Sequence, residues 1–160
     1  MPQEETRMTS IRNAIAALAC LAASPVLALE SVPVLDQSTA DTVVRGCLEH
    51  AGRAGEEVSV AVFDQAGNIV AFARGRGTPA SAELAQWKAR SAAIYRNSTR
   101  ETGSWNAPYI PHLASVEGGV PLLTADGAYV GGVGVSGAPP EFDADCAEAG
   151  ARLAGLQVRR

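Results

Sequence analysis

Sulfur and imidazole are scarce in this chain. Its 160 residues hold three cysteines and two histidines, too few for the Cys/His clusters of a structural zinc site. Aromatic residues make up 5% of the sequence, and no CxxCH is present to attach a haem covalently. No serine sits in a GxSxG elbow, no pair of carboxylates has a telling spacing, and neither a P-loop nor a strand-to-helix GxGxxG occurs. The net charge is −4, and no basic patch is visible, which argues against nucleic acid and against an anionic membrane as partners. No apolar run is long enough for a comfortable transmembrane helix.

The longest apolar run is Ala14–Ala28, AIAALACLAASPVLA, which follows Arg12 and ends with Val26 and Ala28 in the small-residue positions of a signal-peptidase site. The expectation is a bacterial secretory signal over 1–28, cut after Ala28, and one domain over 29–160 exported to the periplasm or secreted. Glu4 and Glu5 interrupt the positive leader, so translation from Met8 is an alternative. Cys20 is expected to leave with the signal. Cys47 and Cys146 remain, both on apolar helix faces. A buried, unpaired pair is the expectation, although an oxidising compartment permits a disulfide.

The organising stretch is 118–137, GGVPLLTADGAYVGGVGVSG. It reads as two strands, Val120–Thr124 and Ala128–Ser136, turned at Ala125–Asp126–Gly127, because Asp-Gly between apolar runs is a strong hairpin signal. Glycines at 131, 132, 134 and 137 weaken the second strand but permit close approach. A helix packed over the strand is the expected cause, and a ligand crossing the backbone is the alternative.

Before this hairpin, Ser38 and Asp41 form a plausible capping box for a helix to about Arg53, with a stripe of Val43, Val44, Cys47, Leu48 and Ala51. His50 lies beside that stripe and reads as a surface histidine. Val58–Phe63 and Ile69–Arg74 form a hairpin about the DQAGN turn. Arg74 and Arg76 follow in a Gly-containing loop that either holds a carboxylate or phosphate or is simply solvated. Ala80–Tyr95 is a second helix, with Leu84, Trp87, Ser91 and Tyr95 on one face and Ala85, Ala89 and Ala92 alongside. Lys88 and Arg90 lie on it, and the lysine can snorkel to water.

Asn97–Glu117 is the least regular segment, and long irregular connections are often functional. It carries Trp105, Tyr109 and His112, which can line a flat, partly apolar ligand, and His112 is the best candidate ligand among the histidines. A final helix, Glu141–Leu156, has a stripe of Phe142, Cys146, Ala149 and Leu153. Glu141, Asp143 and Asp145 form a solvated acidic face favoured by the helix dipole. Leu156–Arg160 is expected to fray. The order of helices and strands predicts an α/β domain with an antiparallel sheet, any fifth strand coming from the lead-in or the long segment.

The segments 58–77, 85–99 and 118–150 resemble the GlcG/HbpS-like family, in order and spacing. Asp64–Gly67, Lys88–Arg90, Gly118–Pro121 and Gly131–Gly137 fall on its signature positions. The chain departs from the pattern at Gln65, at Ser91 and in the aromatic-rich stretch 105–112. The resemblance implies a profilin-like fold, a five-stranded antiparallel sheet between helices, and a homo-oligomer. Some members bind haem and take part in haem or redox sensing, and a related domain occurs attached to corrinoid adenosyltransferases.

The expected function is therefore that of an exported small-molecule-binding protein, non-catalytic, with haem or another tetrapyrrole as ligand and a sensory or transport partner. His112, or less readily His50, would offer an imidazole to iron and Tyr109 a phenolate, with Trp105 packing on the macrocycle. Lys88, Arg90, Arg74 or Arg76 would meet anionic groups. Two alternatives compete with it. One is an enzyme acting on a small organic acid, with Lys88 and Arg90 orienting the anion and His112 as base. The other is an assembly or sensory-partner protein whose glycines serve packing alone.

Overall fold

The structure is a computed structural model and describes residues 32–160, so the predicted leader and Cys20 lie outside the described residues. Helix α1 spans Gln37–Ala54. Its N-cap is Asp36, whose carboxylate accepts from Thr39 N at 2.7 Å, not Ser38 as the capping box predicts. Ser38 instead donates its hydroxyl to Asp36 at 2.8 Å. Gly55 closes the helix in the left-handed conformation, φ 75°, which a glycine adopts without a Cβ penalty.

Strands β1 (Ser59–Asp64) and β2 (Ile69–Ala73) form the first hairpin. Asp64 organises its turn, accepting from the backbone N–H groups of Ala66 and Asn68 at 2.9 Å each. Helix α2 is Pro79–Tyr95, and a short helix α3, Thr99–Ser104, follows inside the segment predicted to be irregular. Strands β3 (Gly119–Leu123) and β4 (Tyr129–Ser136) make the predicted second hairpin, turned at Gly127 with φ 87°. Helix α4 is Pro140–Leu153.

The predicted frayed end is instead strand β5, Gln157–Val158, which pairs with Leu122 and Leu123 of β3. The fifth strand thus comes from the C-terminus, not from the lead-in or the long segment. Only two residues long, it carries no period that a sequence pattern can reveal. The sheet is antiparallel throughout, in the order β2-β1-β4-β3-β5.

Strand alternation sorts the residues onto two faces. Val60, Val62, Val120, Leu122, Val133 and Val135 form the main core with Val43, Cys47 and Ala51 of α1 and Cys146, Ala147 and Ala151 of α4. On the other face Ala61 and Phe63 meet Ala85, Ala89 and Ala93 of α2. That layer is thin because β4 presents glycine. A Cβ on Gly134 would lie 2.2 Å from Ala89 N, and one on Gly132 would lie 2.6 Å from Ala93 N. The helix-packing reading of the glycines is the one the structure shows.

Cys47 and Cys146 are bonded as a disulfide between α1 and α4, correcting the expectation of an unpaired pair. Both sit at 0% exposure, where α1 and α4 approach so closely that a Cβ on Gly46 would lie 2.9 Å from Gly150 Cα. The helix stripes also shift. In α2 the buried residues are Ser81, Ala85, Lys88, Ala89 and Ser91–Ala93, while Leu84 is exposed. In α4 they include Asp143, Ala144, Cys146 and Ala147, while Leu153 is exposed. A glycine-lined strand selects the small face of α2 over the bulky one.

Candidate functional site

The segment between α3 and β3 is held down from below. Ser91 Oγ accepts from Ala114 N at 2.9 Å, and Gly119 N donates to Thr99 Oγ1 at 2.9 Å. Thr102 donates its hydroxyl to Ala114 O at 2.5 Å. Farther out, the Tyr95 hydroxyl donates to the Pro111 carbonyl, and the Trp105 ring meets Tyr95 edge-on at 6.3 Å between centroids. Asn106 and His112 bracket the outer part with φ of 48° and 60°. Left-handed conformations are uncommon in residues with a side chain, and such outliers gather at functional sites.

Under this segment lies a cavity of about 350 Å³, lined by Trp87 of α2, Thr102 and Gly103 of α3, and Asn106, Ala107, Pro108, Leu113 and Ser115. Its size is near the lower end of the range of small-molecule sites, about 300–1,000 Å³. None of the three candidates on the segment forms its wall. Each is the chain neighbour of a wall residue: Trp105 of Asn106, Tyr109 of Pro108, His112 of Leu113. Tyr109 is 83% exposed and Trp105 40% exposed, and His112 is exposed as well. Trp105, Tyr109 and His112 are thus exposed on the segment that supplies much of the wall, without lining the cavity themselves.

The remaining candidates are elsewhere. His50 lies on α1, across the sheet from α2, with its ring 5.2 Å from that of Phe142. It lines a groove between α1 and α4 with Glu49, Arg53 and Arg152. Arg74 is exposed just past β2, and Arg76 pairs with Glu57 at 3.2 Å. Arg90 is exposed on α2, its guanidinium near Gly67 of the β1–β2 turn.

Lys88 does not snorkel. It is 1% exposed and donates to Asp143 Oδ2 and to Val135 O, each at 2.9 Å. Asp143 also accepts from Ala138 N at 3.2 Å, so it is a buried partner and not part of a solvated acidic face. Burial pushes its carboxyl above the ordinary value, and Lys88 works against that rise. Gly118, with φ 123°, passes directly over the pair, where a Cβ would lie 2.7 Å from Lys88 Nζ.

Sequence reasoning placed Trp87 on an apolar helix face and missed Thr102, Asn106, Leu113 and Ser115 as cavity residues. The one available signal was the irregular segment itself, since a connection rich in polar and aromatic groups must cover something. Which residues face inward depends on α3, a helix of six residues too short to show a period.

His112 and Tyr109 on this segment are of side-chain types, imidazole and phenol, that can ligate a haem iron. No group of three or more His, Cys, Asp or Glu among the described residues is placed to hold a bare metal ion. No helix among them is long and apolar enough to cross a membrane.

Comparison with known proteins agrees with this fold. The chain is 36% identical over 110 residues to protein GlcG of Escherichia coli K12, covering 64% of this chain and 81% of that protein. The crystal structure of a double mutant of HbpS from Streptomyces reticuli superposes with a TM-score of 0.71 at 37% identity, over 82% of this chain and 97% of that one. A PduOC–haem complex has a TM-score of 0.72 at 23% identity, covering 80% of this chain and all of that chain, a likeness of fold. Residues 35–152 match the family model described as haem degrading protein HbpS-like, and the chain belongs to this HbpS-like family.

Proposed function

We propose that the protein binds haem or a closely related tetrapyrrole on the segment 105–113, with His112 as the imidazole ligand to iron. The observation that carries this reading is that Trp105, Tyr109 and His112 are all exposed on one short segment, whose neighbouring residues wall a pocket with Trp87. His112 fits the role because its ring is exposed and makes no hydrogen bond among the described residues, so it is free to coordinate. Tyr109 offers a second oxygen donor, and the two indoles present flat apolar surface. Membership in a family described as haem degrading supports the ligand class.

The same reading takes the protein out of the cytoplasm, to the periplasm or beyond, through a leader ending at Ala28. The buried disulfide supports an oxidising compartment. Exposed Ile69 and Phe72 on edge strand β2 support assembly into a homo-oligomer. A sensory or transport partner would then read the loaded state. No observation favours the organic-acid enzyme, because Lys88 is turned inward to Asp143 while Arg90 and His112 stand on separate features.

The test is a titration of the 29–160 protein with haemin, followed in the Soret region. The expected result is a saturable one-to-one shift that His112→Ala abolishes. A shift that survives His112→Ala would retain haem and move the iron ligand elsewhere. No saturable shift in either redox state would reject haem for this chain.

A further inference from the structure

The stretch 105–116, WNAPYIPHLASV, contains no Asp, Glu, Lys or Arg, and it holds one aromatic ring outward in a fixed place. Ile110 N donates to Ala107 O at 3.1 Å, and Leu113 N to Ile110 O at 3.3 Å. Two successive turns result, with Pro108 and Tyr109 at the tip of the first. The Tyr95 hydroxyl fastens Pro111 just behind them. Tyr109 is 83% exposed, more than any other large apolar side chain among the described residues. Beside it lies the cavity of about 350 Å³, walled by Trp87, Pro108 and Leu113, with exposed Asn106 and Ser115 at its rim. The cavity has room for a phenol ring, yet Tyr109 does not line it. Neither the Asn106 amide nor the Ser115 hydroxyl makes a hydrogen bond among the described residues, so both can meet a phenol hydroxyl.

We infer that this cavity receives Tyr109 of a second copy of the chain. An exposed anchor and an open pocket side by side on one surface make the self-complementary patch that a two-fold interface requires. The axis that places one Tyr109 in the facing cavity places the other Tyr109 in the first. Tyrosine suits the role, because it brings a large contact area with few rotatable bonds, and anchors of this kind sit in pockets at the centre of interfaces. The turn holds the ring in advance, so docking costs little further freedom. Charge also favours this occupant. Two copies at a net charge of −4 each repel one another, and the uncharged stretch lets them touch without bringing like charges together. Arg100 and Glu117 at its flank neutralise each other at 3.0 Å. Trp105, 40% exposed and edge-on to Tyr95, extends the contact. Haem takes no part in this interface, which goes beyond the function proposed above.

The experiment follows the mass of the haem-free 29–160 protein by sedimentation over a range of concentrations. The wild-type protein is expected to associate reversibly. Tyr109→Ala removes an exposed ring, so it should leave the melting temperature unchanged and weaken the association at least tenfold. Ala107→Trp, which fills the cavity from its wall, is expected to weaken it as much. An equimolar mixture of the two variants should associate more tightly than either alone, because the mixed pair keeps one anchor and one open cavity. A wild-type protein that stays monomeric would overturn the inference. An association that Tyr109→Ala leaves unchanged would overturn it too and would place the contact elsewhere, the β2 edge included. A mixture no tighter than its components would reject insertion of Tyr109 into the cavity. Should Ala107→Trp melt early, the comparison of wild type with Tyr109→Ala decides.

Discussion

Lys88 Nζ stands 2.9 Å from Asp143 Oδ2, with both side chains 2% exposed, and the pair joins helices on opposite faces of the sheet. Lys88 rises from α2, Asp143 from the first turn of α4, and they meet under Gly118 beside the end of β4. A pair so buried gains Coulomb energy and loses hydration in similar measure, but losing one member strands the other.

Lys88→Met is accordingly expected to cost about 3–5 kcal/mol. Lys88→Met combined with Asp143→Leu should recover more than half of that loss. Recovery stays incomplete because Val135 O and Ala138 N also lose partners. Urea unfolding of the two single variants and the double variant measures the coupling. Additive losses would show that the two residues act independently.

Gly134 and Gly52 should respond in opposite senses to the same substitution. A Cβ on Gly134 meets backbone atoms of α2 at 2.2 and 2.3 Å, whereas one on Gly52 meets nothing within 4 Å. Gly134→Ala is expected to destabilise by about 3 kcal/mol or more. Gly52→Ala, in the last turns of α1, should stabilise by about 0.5–1 kcal/mol. Thermal melts of the two variants suffice to check this.

Removing the Tyr95 hydroxyl should loosen the outer segment without unfolding the domain. Tyr95→Phe keeps the ring against Trp105 but deletes the bond to Pro111. Deuterium uptake over 106–113 is expected to quicken at least threefold, with uptake over 84–94 unchanged. Identical uptake in the outer segment would show that the hydroxyl does not restrain it.

The β1–β2 turn sets an acid dependence. Burial works to raise the Asp64 carboxyl, but hydrogen bonds from Asn68, Ala66 and Gly67 outweigh it and hold the group below its usual 3.8. A lowered folded value contributes stability that is present above the unfolded value and is lost as pH falls through the folded one. The melting-temperature gap between wild type and Asp64→Asn should thus be full at pH 7 and close below about pH 4. A gap that persists unchanged at pH 2 would contradict this.

Much of the fold was legible because it rests on local chemistry. Asp64–Asn68 and Ala125–Gly127 announce their turns, and the glycines of β4 announce a close helix. What stayed hidden was decided across distance. Nothing near Asp143 distinguishes it from Glu141 and Asp145, since its burial depends on a lysine 55 positions away. The Cys47–Cys146 bond was likewise missed in favour of an unpaired pair, because an apolar helix position does not show whether its cysteine has a partner. The segment 97–117 was legible as an irregular region. The wall was not, because Thr102 and Leu113 face inward only once Ser91 and Thr99 have fastened the returning backbone.

The Cys47–Cys146 link spans 99 positions, and β5 completes the sheet within the last four residues. A ribosome adding about 5–20 residues per second leaves Cys47 waiting about 5–20 s for its partner. Throughout that interval the side of α1 that will meet α4 has nothing to pack against. The layer that α1 and α4 make together therefore closes only after β1 to β4 have all been synthesised.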